Sequence, residues 1–172
     1  MGTNVYAIAS NTEKFLALHI GNFRFLDSCQ FTPSSLSELV ENLRVSDASK
    51  FTQVRRHFVQ DDRIDLMLRK GVYPYEHMTD RGKFYDTKLP KIDEFYSELN
   101  DSGISPEDYV HAENVWRTFG IQTMQEYHDL YLMTDVLLLA DVLRILEIFH
   151  SKIIKLIRFI IILYRDSALT HA

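Results

Sequence analysis

Tyr131 and Asp135 stand four residues apart in a stretch of strong helical periodicity, so on a helix their side chains lie on one face, a turn apart. With Asp135 set to zero and each residue turned by about 100°, Met124, His128, Tyr131, Leu139, Val142 and Leu146 all fall within roughly 40° of it. Glu126 and Arg144 fall opposite, flanked by Asp129, Asp141 and Glu147. The pattern predicts a carboxylate in the middle of an apolar face, with most other acidic groups on a solvated one. A carboxylate so placed needs a cation, hydrogen-bond donors or a chemical task, because burial without partners is costly. At this level two readings stay open. In one, a neighbouring loop hydrogen-bonds Asp135 and Tyr131 is a core aromatic; in the other, the pair belongs to a reacting site. The spacing Tyr-x-x-x-Asp does not choose between them.

The elements that must carry this pair are legible from local chemistry. Val5, Ala7 and Ala9, then Phe15 to Ile20, then Phe23 to Asp27 alternate as strands, and Gly21-Asn22 is the turn between the last two. That predicts a short antiparallel meander. Ser34-Ser35 before Leu36, Leu39, Val40 and Leu43 is a helix start followed by an apolar stripe. Residues 44–106 are less regular. Lys70-Gly71-Val72-Tyr73-Pro74-Tyr75 and Lys88-Leu89-Pro90-Lys91 cannot lie inside helices, since proline removes a donor and restricts the residue before it. A long looped insertion around short helices is expected. Ser105-Pro106-Glu107-Asp108 starts a helix, with proline in the first turn and acids near the positive end of the dipole, and Gly120 ends it. The helix bearing Tyr131 and Asp135 is expected over residues 123–149. Tyr6, Tyr109 and Trp116 are expected in the core.

Composition narrows the class. Of the 172 residues, 46% are hydrophobic and 25% charged, which suits a folded chain rather than a disordered one. The net charge of −5 argues against this chain gripping DNA alone, because phosphate contacts usually require a basic excess. The single cysteine, Cys29, excludes a disulfide framework and a cysteine-rich zinc site and points to a reducing, intracellular compartment, the nucleus included. Residues 1–10 lack the basic start and apolar run of a secretory leader. The apolar run from Phe159 to Tyr164 is far shorter than the ~20 residues that span a bilayer, so no membrane span is expected.

Tyr127-His128-Asp129-Leu130-Tyr131-Leu132-Met133-Thr134-Asp135-Val136-Leu137-Leu138-Leu139-Ala140-Asp141-Val142 resembles the third exonuclease motif of protein-primed family B DNA polymerases, most closely the version carried by Maverick or Polinton transposons. Three other stretches are similar in order and spacing. Phe23 to Ser28, followed by Ser34-Ser35-Leu36, resembles the family's strand-then-helix segment. Lys70 to Tyr75 resembles a family loop signature. Ser105 to Gly120, with Asp108-Tyr109, His111-Ala112 and Val115-Trp116, resembles the helix that leads into the third motif. The likeness covers residues 5–149, and the tail 150–172 departs from it.

The resemblance implies an α/β fold, part of a ribonuclease-H-like 3′-5′ exonuclease domain, with short antiparallel strands followed by helices. It implies two divalent metals, Mg²⁺ or Mn²⁺, that activate water and steady the leaving oxygen at a DNA 3′ end. By likeness Asp135 is a metal ligand, Tyr131 orients the attacking water and Lys70 is an auxiliary catalytic lysine. Ser28 and Tyr73 are the implied nucleic-acid contacts. DNA, deoxynucleotides and a terminal protein primer are the implied partners of the complete polymerase.

The sequence departs from the family in what it lacks. The Asp-x-Glu strand of the first exonuclease motif and the Asn and Asp of the second are absent, as is the Asp-Thr-Asp of the polymerising half. The expectation is a fragment, inactive alone, of a DNA-directed DNA polymerase. The alternative is a non-enzymatic α+β protein-interaction domain.

Overall fold

A computed structural model describes residues 5–9, 15–26, 32 and 34–169, with the side chains of Phe15, Leu26 and residues 152–169 excepted. The chain is α/β and divides into two compact units, residues 1–38 and 39–172.

In the first unit β1 (Val5–Ala9), β2 (Phe15–Ile20) and β3 (Phe23–Leu26) form an antiparallel meander in the order β1-β2-β3. The register pairs Val5 with Ile20, and Ile20 with Phe23. Gly21 opens the two-residue turn with φ +59°, the left-handed geometry that a tight hairpin asks of this position and that glycine accepts without a Cβ clash. Tyr6, expected in the core, is instead 56% exposed and stacks on His19 across the β1–β2 pair at 4.3 Å. A cross-strand ring partner, not burial, holds it.

The second unit is helical. It takes in most of α1 (Leu36–Asp47), then α2 (Thr52–His57), α3 (Asp61–Met67), α4 (Pro106–Phe119) and α5 (Met124–Leu169). Ser35 Oγ accepts from the Glu38 amide at 3.3 Å, so the predicted serine start caps α1. Ser105 Oγ accepts from the Asp108 amide at the start of α4, and Gly120 closes that helix at φ +66°. Between Leu68 and Ser105 the chain is a loop with two short 3-10 turns, at Arg81–Tyr85 and Ile92–Phe95. α2 packs on α5 and α3 on α4. The core between them holds Phe51, Val54, Met67, Ala112, Met124 and Leu138. α5 continues without a break past residue 149. Among the described residues no helix is long and apolar enough to cross a membrane.

The buried face of α5 is not the one predicted. Met124, Tyr127, Leu130, Thr134, Leu138, Asp141 and Val142 are buried, whereas Leu132 and Val136 are 54% and 58% exposed. Placed at ~100° per residue, the buried stripe is centred roughly 80° away from Asp135. Asp135 therefore sits at the flank of the buried face and not in its middle. Asp141, expected on the solvated side, is fully buried. Its carboxylate accepts from the amides of Thr52, Gln53 and Val54 at 3.0–3.2 Å and from the Thr52 hydroxyl at 3.1 Å. It is the N-terminal cap of α2, supplied by another helix, where the residue at the cap position, Phe51, offers no side-chain oxygen.

His111 lies on the buried side of α4. Burial first, then the nearby Arg69 charge, lowers its pKa to about 4, against a smaller opposing pull from Asp108. The folded state thus holds a neutral imidazole that the unfolded chain protonates near its ordinary value of 6.5. The unfolded state binds the extra proton between those values, so stability falls as pH drops from about 6.5 towards 4. Discounted for residual solvent screening, the loss is on the order of 2 kcal/mol. Comparing melting temperature against pH for the native chain and His111→Gln checks this. The native chain should lose several degrees more over that window, and parallel curves would contradict it.

Candidate active site

α3 ends at Met67, and the chain leaves it through Leu68 and Arg69 into the Lys70–Tyr75 loop. Two hydrogen bonds fix this loop against α5. Tyr127 Oη donates to the Val72 carbonyl at 2.8 Å. His128 Nδ1 and Tyr73 Oη are hydrogen-bonded at 2.8 Å. Pro74 is fully buried, which with its fixed φ leaves the turn little freedom. Gly71 passes so close to α5 that a Cβ there would lie 3.3 Å from Tyr131 Cδ2, and the missing side chain is what lets the loop approach.

This docking brings Lys70 to the helix pair. Lys70 Nζ donates to Tyr131 Oη at 2.8 Å and lies 3.3 Å from Asp135 Oδ2. The same ammonium sits 5.2 Å from the centroid of the Tyr131 ring. Tyr131 and Tyr75 are joined through their hydroxyls at 2.8 Å. The Tyr73 ring stacks on Tyr131 at 4.9 Å and meets Tyr75 edge-on at 5.0 Å. Lys70 and Asp135 keep 30% and 23% of their side chains exposed, so the cluster opens to solvent. Asp135 Oδ1 is buried and has no hydrogen-bond partner among the described residues.

The Tyr131 phenol is pushed up to about 12, first by burial and then by the Asp135 carboxylate, while the hydrogen bond from Tyr75 acts in the opposite sense. Tyr75 is also raised to about 12, by burial and by its bond to Tyr131. Both are neutral phenols at any physiological pH. Tyr131 can orient a water or a phosphoryl oxygen by hydrogen bonding, and it is not a base. Lys70 offers a positive charge beside the carboxylate, suited to an oxyanion.

Of the residues singled out from sequence, Lys70, Tyr73, Tyr131 and Asp135 are brought into one cluster. Ser28, the other expected nucleic-acid contact, lies outside the described residues. Tyr73 is half-buried and commits its hydroxyl to His128, so Tyr75, 61% exposed, is the aromatic that reaches solvent. Tyr75 and His128 were not singled out as site residues. Tyr75 lies in a loop, where no periodicity marks a face. For His128 only the helix position was visible. For a divalent metal the cluster supplies one unpartnered carboxylate oxygen, Asp135 Oδ1. Among the described residues no group of three His, Cys, Asp or Glu side chains is placed to hold a metal. Asp135 fits as one ligand of a metal site and not as the whole of one.

Comparison with family models, with curated proteins and with solved structures finds no match for this chain.

Proposed function

We propose that this chain is part of the 3′-5′ exonuclease domain of a protein-primed family B DNA polymerase, and that it supplies the half of the site built from Lys70, Tyr131 and Asp135. One observation carries the reading. Lys70 was expected by likeness alone to be an auxiliary catalytic lysine, and from 61 residues before Tyr131 its ammonium comes to 2.8 Å from Tyr131 Oη and 3.3 Å from Asp135 Oδ2. A loop lysine placed by chance would be solvated and paired with a local acid.

In this reading Asp135 is one ligand to a divalent metal, which when bound would activate water at the scissile phosphodiester. The chain's own groups do the positioning. Tyr131, kept neutral by burial, hydrogen-bonds the attacking water. Lys70 faces the phosphoryl oxygens and also restrains the carboxylate through Oδ2, leaving Oδ1 free. Tyr75 fixes the Tyr131 hydroxyl from the other side. A ribonuclease-H-like sheet would be completed by further strands, and β3, an edge strand of the described meander, offers backbone groups to pair with them. A two-metal centre needs more carboxylates than Asp135, and the family carries them in its first two exonuclease motifs.

A second reading, a non-catalytic interaction domain, draws on exposed Leu132 and Val136, which leave an apolar strip on α5. A chimera separates the two. A relative's first two exonuclease motifs, joined ahead of this chain, should yield Mg²⁺- or Mn²⁺-dependent shortening of single-stranded DNA from its 3′ end, while the chain alone yields none. A folded chimera without activity would favour the interaction domain.

A further inference from the structure

On the opposite side of α5 from Asp135, three arginines line one open cleft of about 470 Å³ together with Thr52 and Gln53. Arg55 and Arg56 are exposed at the end of α2, and Arg144 reaches the cleft from α5, half-buried. No carboxylate lines the cleft among the described residues, and none of the three guanidiniums is in an ion pair there. Arg55 Nε is tied to the Ala48 carbonyl at 3.4 Å, which leaves its terminal nitrogens free. Arg144 Nε is buried with no hydrogen-bond partner among the described residues. A buried, unpaired donor on a charged group is costly unless a ligand completes it.

The cleft is a consequence of how α2 is held. Asp141 caps α2 and lies one turn before Arg144 on α5, so the contact that starts α2 also brings Arg55 and Arg56 alongside Arg144. Asp141 itself is fully buried, with both oxygens turned to the α2 amides, so the amide end of α2 is already satisfied and the arginines are what the cleft offers. Planar guanidiniums match phosphate oxygens in pairs of parallel hydrogen bonds. The cleft is wide and open, and no aromatic ring lines it. Those features suit successive phosphates on a backbone, held without reading bases, better than one enclosed phosphate.

We infer that Arg55, Arg56 and Arg144 form a binding site for the backbone phosphates of a single-stranded nucleic acid, separate from the Lys70–Asp135 cluster. Binding there requires no catalysis, so it succeeds or fails independently of the exonuclease reading.

The test uses the full chain and a fluorescein-labelled oligothymidylate, followed by anisotropy at about 50 mM and 150 mM salt. Arg55→Gln/Arg56→Gln, at exposed positions, should weaken binding about five-fold, and adding Arg144→Gln should bring the loss to at least ~10-fold and flatten the salt dependence by about two units of slope. Arg144→Lys, which keeps the charge, should retain most of the affinity, whereas Lys88→Gln/Lys91→Gln in the distant loop should change nothing. Circular dichroism of each variant confirms that it is folded. Affinities within two-fold across the arginine series would overturn the site. Arginine-dependent binding of tripolyphosphate with none of the oligonucleotide would overturn the backbone as its ligand.

Discussion

Asp141→Ala is expected to lower the melting temperature by about 10 °C. α2 is only six residues long, too short to persist without tertiary support. Its first amides find their acceptor 87 to 89 residues away in sequence, on a side chain with no solvent exposure. Removing the carboxylate leaves the Thr52, Gln53 and Val54 amides without their acceptor beneath a packed helix. Loss of a cap costs about 1–2 kcal/mol, and unsatisfied buried donors add about 1–3 kcal/mol more. The sum, about 2–5 kcal/mol, corresponds to ~10 °C for a chain of this length. Asp141→Asn should recover less than half, since one of its two polar atoms is a donor facing donors. A calorimetric melting point within 2 °C of the native chain would show that α2 is held by its apolar contacts alone.

That residue also marks where sequence reading stops. The hairpin around Gly21, the serine start of α1 and the Ser105-to-Gly120 helix depend on groups within a few residues of one another, and their chemistry is visible in the string of letters. The orientation of α5 depends on partners far along the chain. Asp141 is polar and so was assigned to solvent, yet α2 gives it amides to accept from. Thr134 is buried as well, its hydroxyl donating to the Leu130 carbonyl at 2.8 Å with Met67 Sδ close by. Leu132 and Val136 are apolar yet 54% and 58% exposed, and nothing described covers them. Hydrophobic periodicity measures side-chain type and not available partners, which is why the face came out rotated. The candidate site shows the same limit. Tyr131 and Asp135 share a face through an i, i+4 relation that any helix imposes. The approach of Lys70 depends on Gly71 and Pro74 and on the Tyr127 and His128 contacts, none of which has a local signature. Only the family resemblance suggested it.

The second large effect concerns Asp135. In a chimera that supplies the first two exonuclease motifs, Asp135→Ala should lower the rate of 3′-end cleavage by about 10³-fold or more, the scale of losing a charged group that stabilises the transition state. On the proposed reading the substitution removes a metal ligand, and it also releases Lys70, which keeps only Tyr131 as an anchor. Asp135→Asn should lose nearly as much, because the neutral amide is a poor ligand for Mg²⁺. Folding should suffer little, since Asp135 sits at the flank of the buried face and its Oδ1 makes no hydrogen bond among the described residues.

The most direct measurement is single-turnover degradation of a 5′-labelled single-stranded oligonucleotide by that chimera with Mn²⁺, native against Asp135→Ala, at matched circular dichroism. The account predicts processive shortening from the 3′ end by the native chimera and essentially full-length substrate with the variant. A chimera that degrades the strand equally well without Asp135 would contradict it, leaving that residue as an ordinary carboxylate beside a lysine on a structural helix.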